Sequence, residues 1–277
     1  MTVHERFSAP AAFRPPVILG IVNITEDSFS DGGQFLDPAA AIRHGEELMA
    51  GGADGLDLGA AASNIASKPV AAEVEIDRLK PVVATLKARG IPLSVDTFSP
   101  AVQRWALAEG VDYLNDIQGF PDADIYPDLA AANAKLIVMH SVQGRGRATV
   151  EDVPPSVIVD RILKFFETRI AALERAGVAK KRLILDPGMG FFLSSNPETS
   201  LAVLRHLSDI KRAFGLPVLV GVSRKSFLRK ITGRASAAGA ATLSGELLAA
   251  LCGADYIRTH DAGALADGLK VFRAAAA

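Results

Sequence analysis

Cysteine is almost absent from this chain. The 277 residues include one cysteine, Cys252. A single cysteine cannot form a disulfide within the chain, which excludes a small disulfide-stabilised fold and is typical of a reducing compartment. We therefore expect a cytoplasmic protein. Its hydrophobic residues, 49% of the total, are enough for one large core.

An excess of either charge is also lacking. The formal net charge is −1, whereas proteins that bind nucleic acids or anionic membranes usually carry basic surfaces. The chain has no apolar run approaching the ~18 residues of a membrane helix. Residues 1–16, which we interpret as an N-terminal arm, have no signal-peptide core. We expect neither a nucleic-acid partner nor a membrane contact.

What the chain does contain is a repeated alternation of short apolar runs with longer amphipathic segments. Such alternation predicts a parallel sheet covered by helices on both faces. Eight runs in one domain spanning residues 1–277 favour a closed (β/α)8 TIM barrel. A doubly wound sheet is the alternative, but "VNITEDSFSDGG" after the first run is not a GxGxxG turn. The runs are VILGIVN, GLDLG, IPLSVD, DYLND, KLIVMH, RLILD, LPVLVGVS and YIRTH.

Most of these runs end on polar or ionisable residues. In a parallel barrel the carboxyl ends of all strands open on one rim, where barrel enzymes place their active sites. A strand that ends on Asp186 avoids the cost of burying an unpaired carboxylate if the residue reaches a pocket. A helix N-cap is the competing interpretation for any one position. Repetition on most strands favours a site.

The residue types indicate two ends of one pocket. Asp96, Asn115 and Asp186 offer acceptors for a flat heterocycle rich in N–H groups, and Lys225 adds a donor. The other end of the pocket would bind an anion, and phosphate is favoured. Its hydrogen-bond donors would come from Asn23, Arg258 and His260.

Seven short motifs resemble, in order, those of the dihydropteroate synthase family between about residues 17 and 262. They are LGIVNITEDSFSDGG, SVDTF, NDIQG, VMH, LDPGMGF, SRKSF and RTHD. Three details are closer to the sulfonamide-resistance branch of that family. These are NDIQGFPD, DPGMGFFLS followed by PETSL, and DYIRTH.

The resemblance implies a barrel enzyme that joins 6-hydroxymethyl-7,8-dihydropterin pyrophosphate to p-aminobenzoate and releases pyrophosphate, with Mg²⁺ as cofactor. It also implies an SN1-like route and a homodimer. Catalytic roles would fall to Lys225, Asp96, Asp186, Arg258 and His260. Substrate contacts would come from Asn23 (also near Mg²⁺), Ser63, Asp96, Asn115, Met139, Asp186, Phe191, Phe192, Gly221, Arg224, Lys225, Ser226, Arg258 and His260.

Two segments depart from the family pattern. Phe191 and Phe192 stand where one phenylalanine followed by glycine is usual, so one aromatic ring is extra. That ring either packs under the loop or narrows the aminobenzoate subsite against larger sulfonamides. The loop "GAAASNIASKP" replaces the family's GGESTRP and retains only the hydroxyl of Ser63.

Two alternatives remain open. A methyltetrahydrofolate-type methyltransferase domain would use a similar pterin pocket, but it would not need SRKSF or RTHD for pyrophosphate. A catalytically silent pterin-binding barrel would be favoured by loss of Lys225, Asp96 or Arg258, and all three are present. The apolar segment AAGAATLSGELLAALCGAD is a candidate dimer face, although barrel packing explains it equally well.

Overall fold

The computed structural model describes residues 13–25, 37–61, 70–142, 152–236 and 239–276. Within them, eight strands alternate with helices. The strands are β1 (Val17–Asn23), β2 (Gly55–Gly59), β3 (Leu93–Asp96), β4 (Tyr113–Asp116), β5 (Lys135–Met139), β6 (Leu183–Asp186), β7 (Leu219–Val220) and β8 (Tyr256–Thr259). The helices are α1 (Pro38–Ala50), α2 (Ala72–Ala88), α3 (Pro100–Ala108), α4 (Tyr126–Ala131), α5 (Pro155–Arg175), α6 (Pro197–Arg205), α7 (Leu207–Phe214), α8 (Ser226–Thr232), α9 (Ala240–Leu251) and α10 (Ala262–Ala276).

The strands form one parallel sheet that closes on itself. Their order is β6-β5-β4-β3-β2-β1-β8-β7, and a single bridge between Leu185 and Val218 joins the two ends. The Leu185 amide donates to the Pro217 carbonyl across this seam at 2.9 Å. The predicted (β/α)8 barrel is confirmed.

Alternation along each strand sends side chains to two separate apolar layers. Leu19, Ile137, Ile184, Leu219 and Tyr256 fill the barrel interior. Outward-facing neighbours, such as Ile18, Val22 and Leu185, join the larger core under the helices. Inward-facing residues nearer the carboxyl ends of the strands are therefore the ones that reach the open rim.

Each helix buries one face, because its apolar residues are spaced three or four positions apart. In α5 the buried residues are Ile158, Ile162, Phe166, Ile170 and Leu173, three or four positions apart, which is one stripe of an α-helix. Asp37 and Asn196 cap α1 and α6 by accepting backbone N–H groups, which satisfies donors that the first turn leaves unpaired. These helices hold the strands in place around the interior.

The amino-terminal end of the barrel is closed by polar aromatic packing. Lys135 Nζ donates to the Tyr256 hydroxyl at 3.2 Å and lies 5.4 Å from the centre of the Tyr113 ring. Burial raises the pKa of Tyr113 to about 12. These contacts fill the interior at the amino-terminal end, and the polar strand ends lie at the carboxyl end.

Residues 1–12 of the predicted arm lie outside the described residues, and the Phe13 ring packs on Phe272 of α10 at 5.0 Å. The division into one domain with an arm at 1–16 stays a prediction. Among the described helices, none combines the length and the apolar character needed to cross a bilayer.

Candidate active site

Predicted site residues from neighbouring strands lie side by side at the carboxyl rim. Asn23 is in register with Gly59, Gly59 with Asp96, and Asp96 with Asn115. An added Cβ at Gly59 would be 3.9 Å from both the Asn23 side-chain oxygen and the Asp96 Cβ. The Asn23 and Asp96 side chains therefore both border Gly59. Met139 and Asp186 are in register on the next pair of strands.

Arg258 is the centre of the charged network. Its Nη2 lies 2.7 Å from Asp96 Oδ2 and also forms an ion pair with Asp57. Asp57 is fully buried and accepts a hydrogen bond from Asn115 Nδ2 at 3.4 Å. Burial alone lowers the pKa of Arg258, but the charges of Asp57, Asp96 and Asp186 outweigh it and raise that pKa. The guanidinium therefore stays charged and fixes the carboxylates around it.

Several buried polar atoms of this network have no hydrogen-bond partner among the described residues. They are Asp57 Oδ1, Asn115 Oδ1 and Arg258 Nε. Buried polar groups are nearly always satisfied, since leaving one unmade costs about 1–3 kcal/mol. Two acceptors and one donor at the centre of the rim therefore indicate the place of a polar ligand.

Asp186 and Lys225 contribute opposite charges beside this network. Burial raises the pKa of Asp186 to about 6, although the Gly188 amide and the nearby Arg258 and Lys225 charges oppose the rise. Burial and the Arg258 charge lower the pKa of Lys225 to about 8, while Asp186 and Asp96 oppose that fall. Burial also raises the pKa of Asp96, against the pull of Arg258. Asp186 is ionised and Lys225 protonated in the same molecule only between these two values.

The loop after β6 bends sharply toward the rim. Asp186 Oδ1 accepts the Gly188 N–H at 2.8 Å, and Gly188 has a φ of +76°. A Cβ at Gly188 would come within 2.4 Å of the His140 carbonyl oxygen, so only glycine fits this turn. The loop then folds back over the strand end that carries Asp186.

The two phenylalanines of this loop have different surroundings. Phe192 is half-buried, and its ring centre lies 4.9 Å from Lys225 Nζ, a cation–π distance. Phe191 is 40% exposed. The Phe192 carbonyl accepts the Val142 N–H at 2.9 Å, which ties the loop to the segment after β5. The ring adjoining the predicted pterin lysine is therefore that of Phe192.

The SRKS turn after β7 is held in an uncommon backbone conformation. Arg224 has a φ of +57° without being glycine, and its N–H donates to Thr242 Oγ1 at 3.0 Å. Lys225 is the N-cap of α8 and Ser226 its first residue. Gly221 lies under Arg258, since an added Cβ would be 3.8 Å from the Arg258 Cβ. Strain of this kind is common at functional turns.

His260 is fixed by its neighbour across the β7–β8 edge. Its backbone N–H donates to Ser223 Oγ at 3.2 Å, and its Nδ1 lies 3.0 Å from the same oxygen. The ring is thereby oriented at the end of β8, two residues beyond Arg258.

Not every polar strand end belongs to the pocket. Asp116 is buried and accepts the amides of Gln118 and Phe120, so it stabilises a turn. His140 is 2% exposed with Nδ1 3.2 Å from the Pro187 carbonyl, and burial lowers its pKa to about 4. Both residues serve the loops around the rim.

The structure thus brings together Asp96, Asn115, Asp186, Lys225 and Arg258 around one opening. Ser63, with its altered loop, lies outside the described residues. Asp57 was missing from the predicted site, although its position as a carboxylate inside the apolar run GLDLG was a usable signal. No comparable pattern indicated the supporting role of Ser223.

The chemistry of Asn23 agrees with a weak Mg²⁺ contact rather than a complete metal site. The described residues contain no group of three or more His, Cys, Asp or Glu side chains that would hold a metal ion. The nearby carboxylates of Asp57 and Asp96 are engaged by Arg258. Mg²⁺ is often held by few protein oxygens together with ligand phosphates and water, and the Asn23 side chain fits that arrangement.

Comparisons with known proteins agree with this geometry. A family model described as a pterin-binding enzyme matches residues 19–260. The type-2 dihydropteroate synthase of Escherichia coli is 57% identical over 259 residues, 93% of this chain and 95% of that protein. The dihydropteroate synthase of Neisseria meningitidis serogroup B is 37% identical over 266 residues, 94% and 92% of the two chains. A structure of the Xanthomonas albilineans dihydropteroate synthase with 4-aminobenzoic acid has a TM-score of 0.84 at 38% identity, covering 95% of this chain and 93% of that one.

Proposed function

Because the chain belongs to the dihydropteroate synthase family of pterin-binding enzymes, in the branch of the sulfonamide-resistance types, we propose how its rim performs that transferase reaction. The substrates are 6-hydroxymethyl-7,8-dihydropterin pyrophosphate and p-aminobenzoate, and the products are 7,8-dihydropteroate and pyrophosphate. The observation that carries the proposal is the partly buried Arg258, which pairs with Asp57 and Asp96 beside unsatisfied polar atoms.

The pterin ring occupies the acceptor-lined part of the rim. Asn115, Asp186 and Asp96 accept its N–H groups, and Lys225 donates to a ring oxygen or nitrogen. Met139 is 3% exposed and in register with Asp186, which supports the assignment of its polarisable thioether to packing on the ring. These contacts fix the methylene carbon relative to the anion-binding end.

The diphosphate occupies the other end, with Arg258, His260 and Asn23. The C–O bond breaks first, and its electron pair leaves with the diphosphate. A cation then develops on the methylene and pterin, and the carboxylates of Asp96 and Asp186 stabilise it. Arg258 and His260 stabilise the departing anion. Asn23 would hold Mg²⁺ here, and the ion would supply positive charge that offsets part of the leaving-group charge.

The amine of p-aminobenzoate completes the reaction. Its nitrogen forms the C–N bond and releases one proton. Arg224, in the turn before α8, and Ser226, the first residue of α8, are assigned to this substrate. Phe191 and Phe192 border the same subsite, with Gly221 below it.

Weak inhibition by sulfonamides is part of the proposal. A sulfonamide shares the aniline of the substrate but is larger at its far end. The loop after β6 carries one aromatic residue more than the common family pattern, and a pocket discriminates through repulsion as well as attraction. The half-buried Phe192 beside Lys225 and the exposed Phe191 supply that bulk.

A cytoplasmic homodimer is proposed for the assembled enzyme. Ile231 of α8 and Leu248 and Leu251 of α9 are 52%, 42% and 42% exposed. Large apolar side chains exposed on adjacent helices are typical of interfaces. The surface lies on the outside of the barrel and leaves the rim open.

The proposal is tested by mixing pterin pyrophosphate, p-aminobenzoate and Mg²⁺ with the protein and following pyrophosphate release. We expect turnover by the wild type and a loss of at least about a hundredfold in Asp186→Asn, the range for removal of a group that stabilises transition-state charge. Asp267→Asn, on an exposed face of α10, is the matched control and should retain activity. Binding of the pterin without pyrophosphate release would contradict the proposal.

A further inference from the structure

Gln103 places a polar amide on the buried face of α3. The side chain is 1% exposed, and its Nε2 donates to the Thr97 carbonyl at 3.1 Å and to Asp116 Oδ2 at 2.9 Å. A backbone carbonyl and an ionised carboxylate are acceptors only, so the amide must turn its nitrogen toward them. One nitrogen of Gln103 therefore joins two different segments of the chain.

These two segments carry predicted pterin residues. Thr97 follows Asp96 at the end of β3, and Asp116 follows Asn115 in β4. Asp96 and Asn115 are in register, and the Thr97 N–H continues the ladder by donating to the Asn115 carbonyl at 2.9 Å. The chain then enters α3 after β3 and a tight turn after β4. Gln103 links the two strand ends at the point where their paths diverge.

Asp116 extends this link to the turn after β4. Its Oδ1 accepts the Gln118 N–H at 2.7 Å, and its Oδ2 accepts the Phe120 N–H at 3.0 Å. Gly119 and Phe120 have φ values of +66° and +58°, and the second is uncommon for a residue with a side chain. An added Cβ at Gly119 would be 2.8 Å from the Met139 carbonyl oxygen. The carboxylate therefore holds the turn against the end of β5.

An apolar side chain would be the simpler choice for this position. The other buried residues of α3 include Val102 and Ala106, and burying an amide among them is unfavourable unless its N–H groups are bonded. An apolar residue would leave Asp116 and the Thr97 carbonyl with one donor fewer. A carboxylate would place a second negative charge against Asp116. A neutral side chain with two donors on one nitrogen satisfies both acceptors.

We propose that Gln103 is a positioning residue for the pterin subsite, holding Asp96 and Asn115 in fixed relation through Thr97 and Asp116. The residue does not touch the substrate. Its value for binding rests on the proposed function, in which Asp96 and Asn115 accept hydrogen bonds from the pterin. Small displacements of such groups weaken binding and misalign the reacting carbon.

The direct test is ¹⁵N NMR of side-chain amides in the ligand-free, full-length protein. The Asn115 signals are assigned by their absence in Asn115→Ala. Gln103→Met keeps a long unbranched side chain but removes both N–H donors. We expect the Asn115 carboxamide signals to shift in Gln103→Met. Signals at their wild-type positions would overturn the proposal.

Arg182→Met is the matched control. Arg182 also joins two segments, since its Nε and Nη2 donate to the Ala134 carbonyl at 2.8 and 2.7 Å and its Nη1 donates to the Leu129 carbonyl at 2.8 Å. It precedes β6, at the amino-terminal end of the barrel. We expect Arg182→Met to lower the denaturation midpoint while the Asn115 signals stay in place. An equal shift of those signals would indicate general loosening and would also overturn the proposal.

Kinetics test the use of this link in binding. We expect the KM for pterin pyrophosphate to rise about tenfold or more in Gln103→Met, with the KM for p-aminobenzoate nearly unchanged, because Arg224 and Ser226 lie on another part of the rim. An equal rise in both KM values, or a rise in neither, would contradict selective positioning of the pterin.

The two measurements separate this proposal from the proposed function. If the wild type shows no turnover, the proposed function fails, and the NMR comparison still decides whether Gln103 positions Asn115. Should Gln103→Met fail to fold, Gln103→Glu has the same length and shape but replaces the donating nitrogen by oxygen. The same shifts and the same KM pattern are expected for it.

Discussion

Asp186 and Lys225 are ionised together only within a limited range of pH. Burial raises the pKa of Asp186 to about 6 and lowers that of Lys225 to about 8. Below the first value the carboxylate gains a proton and loses its charge. Above the second the ammonium loses its proton. The pair therefore gives the rim its full set of charges only near neutral pH.

We predict a bell-shaped dependence of kcat/KM on pH, with limbs near pH 6 and pH 8. Lys225→Arg should move the alkaline limb upward, because arginine stays charged throughout that range. Lys270→Arg, on an exposed face of α10, is the matched substitution and should keep the wild-type profile. Steady-state rates from pH 5 to 9 measure this. An alkaline limb that stays in place in Lys225→Arg would contradict the assignment.

At the scale of single residues, the sequence predicted which charged residues lie at the rim. It did not predict which side chains pair with one another. Asp96, Asp186 and Arg258 could be assigned to the rim because each ends or nearly ends a strand. The pairing of Arg258 with Asp57 and the support of His260 by Ser223 depend on which side chains meet across the barrel. Contacts of this kind depend on strand register, which the hydrophobic pattern does not specify.

At the scale of elements, seven of the eight strands lie close to the predicted runs, and β7 does not. The run LPVLVGVS predicted a strand over 216–223, but β7 is only Leu219–Val220. Pro217 has no N–H to donate, and the Val218 N–H donates to Asp255 Oδ2 at 2.9 Å instead. An apolar run indicates that a segment is buried. A strand also requires backbone N–H and C=O groups that can bond to the neighbouring strand.

A short pattern at the start of several strands was not recognised in the sequence. Asp54, Asp112 and Asp255 each follow a helix end with glycine and precede a strand, in GGAD, GVD and GAD. Each side chain accepts the N–H at the start of a neighbouring strand, at Ile18, Leu93 and Val218. These aspartates fix register at the closed end of the barrel and thereby align the residues at the open end.

The turn after β6 should not tolerate a side chain at Gly188. Gly188→Ala would place a methyl group 2.4 Å from the His140 carbonyl oxygen at a φ of +76°. We expect a loss of more than about 1 kcal/mol in the free energy of unfolding and at least tenfold weaker pterin binding. Calorimetric titration and chemical denaturation measure the two effects.

Gly215→Ala provides the comparison for Gly188→Ala. Gly215 also has a positive φ, +64°, but an added Cβ has nothing within 4 Å. The Gly215→Ala variant therefore measures how much the positive φ alone lowers the free energy of unfolding, without a steric clash. Weakened pterin binding in Gly215→Ala of the same size would show that the geometry of the Gly188 turn is not the cause.

The loop after β6 should also control the response to sulfonamides. Deleting Phe191 leaves one aromatic residue in the loop, and we expect sulfonamide inhibition to strengthen about tenfold or more with a smaller change in KM for p-aminobenzoate. Phe191→Ala keeps the loop length and separates the bulk of the ring from the length of the chain. Inhibition constants for the three proteins measure the effect. Equal, strong inhibition of wild type and deletion variant would refute it.

At the scale of the whole molecule, the barrel buries several acidic side chains. The pKa values of Glu75 and Glu246 are raised to about 7, and those of Asp116 and Asp186 to about 6, mainly by burial. An acid with a raised pKa in the folded state binds more protons folded than unfolded between its two pKa values. The folded state therefore loses stability as pH rises through that window. His140, with its lowered pKa of about 4, opposes this trend below pH 6.5.

We predict that the ligand-free enzyme is more stable at pH 5 than at pH 7.5, by roughly 1 kcal/mol or more per buried acid before the opposing His140 contribution. Glu246→Gln should flatten part of this slope. Glu47→Gln, whose side chain is 77% exposed, should leave it unchanged. Urea denaturation at the two pH values gives the free energies. Equal stabilities at both would contradict the prediction.

The narrow closure between β6 and β7 has a mechanical consequence. One bridge, Leu185 to Val218, joins the two ends of the sheet. Asp186 follows Leu185 on one side of that junction, and Lys225 belongs to the turn that leaves the other. In the proposed complex, a pterin bound by both side chains would contact both edges of this junction. Under the proposed function, pterin binding should therefore stabilise the closed barrel, and we expect the ligand-free enzyme to open first between β6 and β7.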